Sequence, residues 1–307
     1  MTTSARGRID VRNLTKQFRG FTAVEDVSFS VEPGRITGFL GPNGAGKTTT
    51  LRMLLHLISP TSGTALIDGQ PYQDLDRPLE VVGAALEATN FHPGRSGRDH
   101  LRVLAATHGL PDSRVDEMLE LTGIPAFAKR RAGAYSMGMR QRLALAAALL
   151  GDPHVLLLDE PANGLDPEGI RWLRGFLRHL ADEQGKTILV SSHLLTEMEQ
   201  TVDDVVIIAN GRLVTSGHIE DLRGEPTAFV RTSDAATLAR ALQEAGVDTR
   251  PEGEGGLVVT TRDLALIGDT ALRVGVPVWE LAARREGLEA LFFELTEGTN
   301  RNLGGAA

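Results

Sequence analysis

Cysteine is absent from the 307 residues, which excludes disulfides and thiolate metal sites and fits a reducing compartment. A basic excess is absent too. The formal charge is −8 and the pI about 5.5, so no global positive field invites nucleic acid. The start, Met1-Thr2-Thr3-Ser4-Ala5-Arg6, has no apolar segment of the signal-peptide kind. No apolar run approaches the roughly 20 residues that span a bilayer. The longest candidate, residues 143–158, is broken by Gly151-Asp152-Pro153-His154. A role at a membrane is therefore expected from the cytosolic side, through a partner. What remains is ordinary for a globular chain, with 41% hydrophobic and 23% charged residues. The length allows one large domain or a large domain plus a small one.

Glycine is where the sequence speaks first. Gly41-Pro42-Asn43-Gly44-Ala45-Gly46-Lys47-Thr48-Thr49 matches the phosphate-binding pattern G-x-x-x-x-G-K-[ST]. Glycines 41, 44 and 46 let the backbone curl and bring its N–H groups to phosphate oxygens. Lys47 supplies a point charge for the β- and γ-phosphates, and the Thr48 hydroxyl a ligand for Mg²⁺. Residues 36–40 read as a short strand before the loop. Leu51, Leu54, Leu55 and Ile58 fall at helical spacing after it, so the helix is expected to end near Ile58. A strand, a glycine loop and a helix N-terminus make an anion site. The expected ligand is a nucleoside triphosphate.

A second acidic feature lies downstream. Val155-Leu156-Leu157-Leu158 is a buried-strand run that ends in Asp159-Glu160-Pro161, at the sheet edge where open α/β folds bind ligands. Asp159 is expected to hold Mg²⁺, directly or through water, and Glu160 to orient and deprotonate the attacking water. The next strand-like run, residues 187–190, leads into Ser191-Ser192-His193, which brings His193 to the same edge. Before the loop, Ile9 and Val11, then Val27, Phe29 and Val31, alternate as antiparallel strands do. Phe18, in a turn over residues 16–20, suits either base stacking or a half-buried hairpin position. Ser136 stands where a helix N-cap belongs, and capping alone would account for it. Asn210-Gly211 between apolar runs predicts a type I′ hairpin.

The whole order resembles the ATPase subunit of ABC transporters. Its carriers are the P-loop, Ser136-Met137-Gly138-Met139-Arg140-Gln141-Arg142, Leu156-Leu157-Leu158-Asp159-Glu160-Pro161, Gly164-Leu165-Asp166-Pro167 and Ser191-Ser192-His193. Finer details are similar to the drug- and peptide-antibiotic-exporter branch, the bacitracin-resistance and lantibiotic-immunity type. The resemblance implies an α/β P-loop NTPase with a mainly parallel core sheet, an antiparallel β-subdomain and a helical lobe over about 88–150. It covers residues up to about 218. Residues 219–307 are expected to form a small α+β accessory domain with a frayed end.

It also implies roles. Phe18 would lie under adenine, and residues 41–49, including Asn43, Ala45 and Thr49, would cradle ATP. Glu87 occupies the usual Q-loop glutamine position and would reach Mg²⁺ or water. Ser136 and Gly138 would contact the γ-phosphate held by a second ATPase subunit, and Asp166 would lie in the loop crossing that dimer interface. His193 would be the switch histidine, acting with Lys47 and Glu160. Met137 and Met139 depart from the common Ser-Gly-Gly-Gln signature, in which a glycine and the glutamine would stand there. The implied partners are a second ATPase subunit, either another copy of this chain or a related one, and a separate integral-membrane permease, docked on the helical lobe at the cytosolic face of the membrane. A soluble ABC ATPase acting as a regulator is the alternative. The Asn-Lys-x-Asp guanine reader of GTPases is absent, and about 110 residues between the two nucleotide motifs leave no room for the coiled coil of DNA-repair types.

Overall fold

The computed structural model describes residues 6–86, 91–222, 226–284, 287–288 and 291–293. Three expectations touch residues outside this set: Glu87, the frayed end, and five of the ten residues of a closing helix that the spacing of Leu288, Leu291, Phe292 and Leu295 predicts over 286–295. The chain divides into two compact units, the second spanning Ile219–Leu295.

The first unit opens with β1 (Ile9–Phe18) and β2 (Phe21–Val31), paired antiparallel. Ile9, Val11, Val27, Phe29 and Val31 point inward, so the period-2 pattern marks a half-buried sheet. β1 runs further than expected, through Phe18, and only Arg19-Gly20 make the turn. β3 (Ile36–Leu40) is buried at every residue, as a strand covered on both faces must be. The glycine loop follows, then α1 (Lys47–Leu54).

α1 stops at Leu54, not near Ile58. His56 adopts a left-handed φ of 54°, and the N–H groups of Leu57 and Ile58 both return to Arg52 O, satisfying a terminal carbonyl as left-handed helix ends do. Leu55 and Ile58 still pack on the core, which is why the apolar spacing outlives the helix. β4 (Ser62–Ile67) then completes a three-stranded antiparallel sheet in the order β2-β1-β4.

After α2 (Pro78–Val81) and β5 (Val82–Ala85) come the three helices of the lobe, α3 (Gly97–Thr107), α4 (Asp112–Leu121) and α5 (Met137–Ala148). Leu101, Ala105, Val115, Met118, Leu119 and Leu143 are buried among them. Ser96 and Ser136 cap α3 and α5 by accepting from the backbone three residues on. The core resumes with β6 (Val155–Leu158), α6 (Pro167–Asp182), β7 (Thr187–Ser192), α7 (Leu195–Met198), β8 (Asp204–Ala209) and β9 (Arg212–His218).

These strands form a six-stranded sheet in the order β5-β6-β7-β3-β8-β9, parallel except for β9. Asn210 and Gly211 take φ values of 51° and 78°, the left-handed pair a type I′ turn needs. β3 lies between β7 and β8, and β6 lies beside β7. The segments leaving β3, β6 and β7 therefore emerge side by side at one sheet edge.

The second unit holds α8 (Ile219–Leu222), β10 (Thr227–Thr232), α9 (Ala235–Glu244), β11 (Thr249–Pro251), β12 (Gly256–Val259), α10 (Leu264–Arg273) and β13 (Val278–Arg284). Its sheet is antiparallel with the order β11-β12-β10-β13. From β10 onward this is the split βαββαβ arrangement. Ala228, Val230, Leu257 and Val259 pack against Leu238, Leu242 and Ile267 of α9 and α10. The sequence pattern shows β10, α9 and β12. β11, α10 and β13 emerge only in the structure.

Candidate functional site

The loop between β3 and α1 is shaped by glycines that nothing else can replace. Gly41 has φ 154°, and a Cβ there would lie 2.2 Å from Ile208 O. Gly46 has φ 105°, and a Cβ there would lie 2.6 Å from Ala23 O. Both positions combine a left-handed backbone with close approach to a neighbouring strand. Gly41 N donates to Ser192 O at 3.3 Å, and Gly211 N donates to Ala45 O at 3.1 Å. The loop is thus tied to β7 and to the β8–β9 turn. α1 begins at Lys47 with no side chain capping its first turn and no acidic residue in it. Its free N–H groups and the positive end of its dipole are left for an anion. The loop bounds an open cavity of about 300 Å³, lined by residues 43–49 with Phe21, Ala23 and Glu160.

Lys47 is 6% exposed. Its ammonium donates to Gly41 O at 2.6 Å and Pro42 O at 3.2 Å, and lies 3.2 Å from Glu160 Oε1. The other Glu160 oxygen is 2.7 Å from His193 Nδ1. An ionised carboxylate only accepts, so the imidazole N–H donates. Beside this line runs a second. Thr48 Oγ1 donates to Asp159 Oδ2 at 2.6 Å, and Ser191 Oγ donates to Asp159 Oδ1 at 2.5 Å. Ser191 Oγ also accepts from Glu160 N at 2.9 Å. Glu160 needs that support, because its φ of 49° is left-handed for a residue with a side chain.

Lys47, Thr48, Asp159, Glu160 and His193 are therefore brought together, as the sequence predicts. Ser191 joins them unannounced. Its signal was only its place, two residues before His193 at the end of a buried strand.

The remaining predicted residues lie elsewhere. Phe18 does not line the cavity. It is 46% exposed at the end of β1, with the Lys16 ammonium 5.1 Å from its ring centre. Phe21, its register partner on β2 and 56% exposed, lines the cavity instead. Ser136, Gly138 and Asp166 are likewise outside the lining. Ser136 caps α5, accepting from Met139 N at 3.3 Å, and Asp166 caps α6, accepting from Gly169 N at 2.7 Å. Both caps are exposed. Their segments adjoin: a Cβ on Gly164 would lie 3.1 Å from Met137 Cγ, and one on Gly138 would lie 3.6 Å from Leu165 Cδ2. Met137 is 42% exposed, so the methionines leave this helix N-terminus open to its surroundings.

Comparison with known proteins shows the family and the fold. The model of the ABC transporter family matches residues 24–163, and that of a domain of unknown function matches residues 226–289. The chain is 35% identical over 297 residues to the bacitracin transport ATP-binding protein BcrA of Enterococcus faecalis, covering 94% of this chain and 96% of that one. It is 34% identical over 299 residues to the uncharacterized ABC transporter ATP-binding protein YhcH of Bacillus subtilis strain 168, covering 96% and 98%. Among solved structures, an ATP-binding subunit of an ABC transporter superposes with a TM-score of 0.62 at 28% identity, over 70% of this chain and 91% of that one.

Proposed function

Because this chain belongs to the ATP-binding subunits of ABC transporters, we propose that it hydrolyses ATP at the β3–α1 loop to drive a separate permease that exports antibiotic peptides. The observation that carries the site reading is the pair of carboxylates after β6. One touches Thr48 and the other touches Lys47 of the phosphate loop.

The oxygen donors fit Mg²⁺. Thr48 and Asp159 offer a hydroxyl and a carboxylate, and a hard cation that keeps waters and phosphate oxygens needs few protein ligands. Held by Thr48 and Asp159, such an ion would supply charge neutralisation at the β- and γ-phosphates. The loop N–H groups and Lys47 bind the same phosphates. Glu160 holds the attacking water and takes its proton, and His193 fixes the orientation of that carboxylate. Asn43, Ala45, Gly46 and Thr49 shape the cradle, and Phe21, which lines the cavity where Phe18 does not, provides an aromatic face for the base.

The caps Ser136, with Gly138, and Asp166 serve a second chain's site. One copy's helix N-terminus completes the γ-phosphate cradle of the other, and ATP bridges a two-fold pair that hydrolysis reopens. Glu87, outside the described residues, keeps the role that the resemblance implies, reaching Mg²⁺ or water in its own chain's site. Among the described residues no helix is long and apolar enough to cross a membrane, so transport requires the permease. The lobe of α3 and α4 is its docking surface. The cargo class follows the relatives named for bacitracin transport.

The test compares ATP hydrolysis by wild type and Glu160→Gln, with gel filtration in ATP and Mg²⁺. Turnover should fall by roughly 10²–10⁴-fold with binding intact, and the variant should accumulate as an ATP-dependent dimer. A barely slowed variant, or a wild type that turns over as a persistent monomer, would refute the assignment.

A further inference from the structure

We propose that strand β13 pairs antiparallel with β13 of a second copy of this chain, extending the C-terminal sheet across a two-fold axis without any nucleotide. The two edges of that sheet are treated differently by the sequence. β11 is 3 residues long and ends at Pro251, whose missing N–H blunts the edge. β13 runs for 7 residues, Val-Trp-Glu-Leu-Ala-Ala-Arg, with neither proline nor lysine. Trp279, Ala282, Ala283 and Arg284 are all exposed. Among the described residues no strand pairs with the outer side of β13, and a largely apolar edge of this length is a template for another strand.

The strand's faces and charges choose that partner. Arg231 opposes Glu280, Phe229 opposes Ala282 and Thr227 opposes Arg284, so residues 280, 282 and 284 share the face away from the helices. Leu281 and Ala283 oppose the core residues Val230 and Ala228. In a two-fold pair that keeps both helix layers on one side, residues of like parity face each other. Centring the axis on Glu280 would set carboxylate against carboxylate. Centring it on Ala282 sets Glu280 against Arg284 twice and leaves a small side chain at the axis.

The neighbouring ion pairs extend this ladder. Arg231 already pairs with Glu280, and Arg284 with Glu252 at 2.6 Å. The row then reads Arg231, Glu280, the second copy's Arg284 and its Glu252. Signs alternate throughout, which is the favourable cross-strand arrangement. A second copy is therefore the occupant whose chemistry matches the edge. Such a contact keeps two ATPase chains together after the ATP bridge is gone, raising their effective concentration for the next closure.

The absence of native cysteine makes the test clean. In the full-length chain without nucleotide, Ala282→Cys places one thiol on the axis. Directly opposed Cα atoms in an antiparallel pair are about 4.5–5.5 Å apart, inside disulfide reach. Diamide, which takes up the two electrons and two protons released, should yield a covalent dimer. Leu272→Cys, on α10 at 81% exposure, should remain monomeric. Light scattering should give two chains for nucleotide-free wild type and one for Ala282→Lys, with unchanged far-UV circular dichroism and an unchanged hydrogen-exchange pattern over residues 226–284 as proof that the second unit is folded. A monomeric wild type, or a dimer in which Cys at 282 links no faster than Cys at 272, would overturn the proposal. In the Ala282→Lys background, gel filtration of Glu160→Gln reads the ATP-dependent dimer alone, so failure of the β13 contact and failure of the ATP-site reading are distinguishable.

Discussion

Removing the Ser191 hydroxyl should cost more than its size suggests. Ser191 is fully buried, donates to the Asp159 carboxylate and accepts from Glu160 N. A hydrogen bond to a charged group contributes about 1.5–3 kcal/mol, and an orphaned backbone N–H costs about 1–3 kcal/mol. Asp159 keeps Thr48, and water reaches part of the cluster, so Ser191→Ala should lose about 3 kcal/mol in all. With a urea slope of about 3 kcal/mol/M for a unit of this size, the midpoint falls by about 1 M. Two units need not unfold together, so the signal must belong to the first. The chain has two tryptophans. Trp172 is stacked on Phe176 with the Arg142 guanidinium 3.6 Å from its ring centre, and Trp279 lies in the second unit. In a Trp279→Phe background, emission therefore reports the first unit alone. Turnover should drop more steeply than ATP binding, because the strained Glu160 backbone loses its anchor. A midpoint shift under about 0.3 M with unchanged turnover would refute the bridging role.

Three further outcomes follow from individual contacts. Gly41→Ala would drive a Cβ to 2.2 Å from Ile208 O, so binding of a fluorescent ATP analogue should weaken by at least tenfold, and unchanged binding would contradict the loop geometry. Ser136→Asp keeps an N-cap but points a carboxylate at the proposed γ-phosphate; the thermal midpoint should hold while turnover collapses, and equal effects on both would leave Ser136 as a cap alone. Burial, and secondarily the Arg95 charge, lower the proton affinity of His100. The unfolded chain then binds more protons, so stability is full above about pH 6.5 and falls as pH drops below it. His100→Gln should flatten the change in unfolding midpoint between pH 7.5 and 5.5, and an unchanged slope would remove His100 from that account.

Legibility in the sequence tracked how tightly geometry restricts residue type. Gly41 and Gly46 could be read because their backbones exclude every other side chain, and Asn210-Gly211 because a type I′ turn requires two left-handed residues. The buried strands β3, β6 and β7 announced themselves as apolar runs, and their adjacency in one sheet then gathered Lys47, Asp159, Glu160 and His193. Where many residue types suffice, the pattern misled or fell silent. Apolar spacing placed the end of α1 near Ile58 because Leu55 and Ile58 go on packing after the helix has turned at His56. Phe18 and Phe21 are both exposed aromatics of one hairpin, and register shifts between Leu14 and Gln17 intervene before their pairing; the spacing of residues does not reveal that Phe21 is the one lining the cavity.

Ser191 and β13 carry the same lesson further. A serine inside a strand is unremarkable until the neighbouring strand brings Asp159 and Glu160 within reach of its hydroxyl. Glu280, Ala282 and Arg284 are equally ordinary until the order β11-β12-β10-β13 makes β13 an edge and sets the three on one face. Both readings depend on contacts remote in sequence, and both concern groups with more than one partner. Ser191 joins two carboxylate-bearing residues within a chain, as the Glu280–Arg284 ladder joins two chains. In each case a local pair already exists, and the added partner converts a structural contact into one that acts on the ATPase cycle.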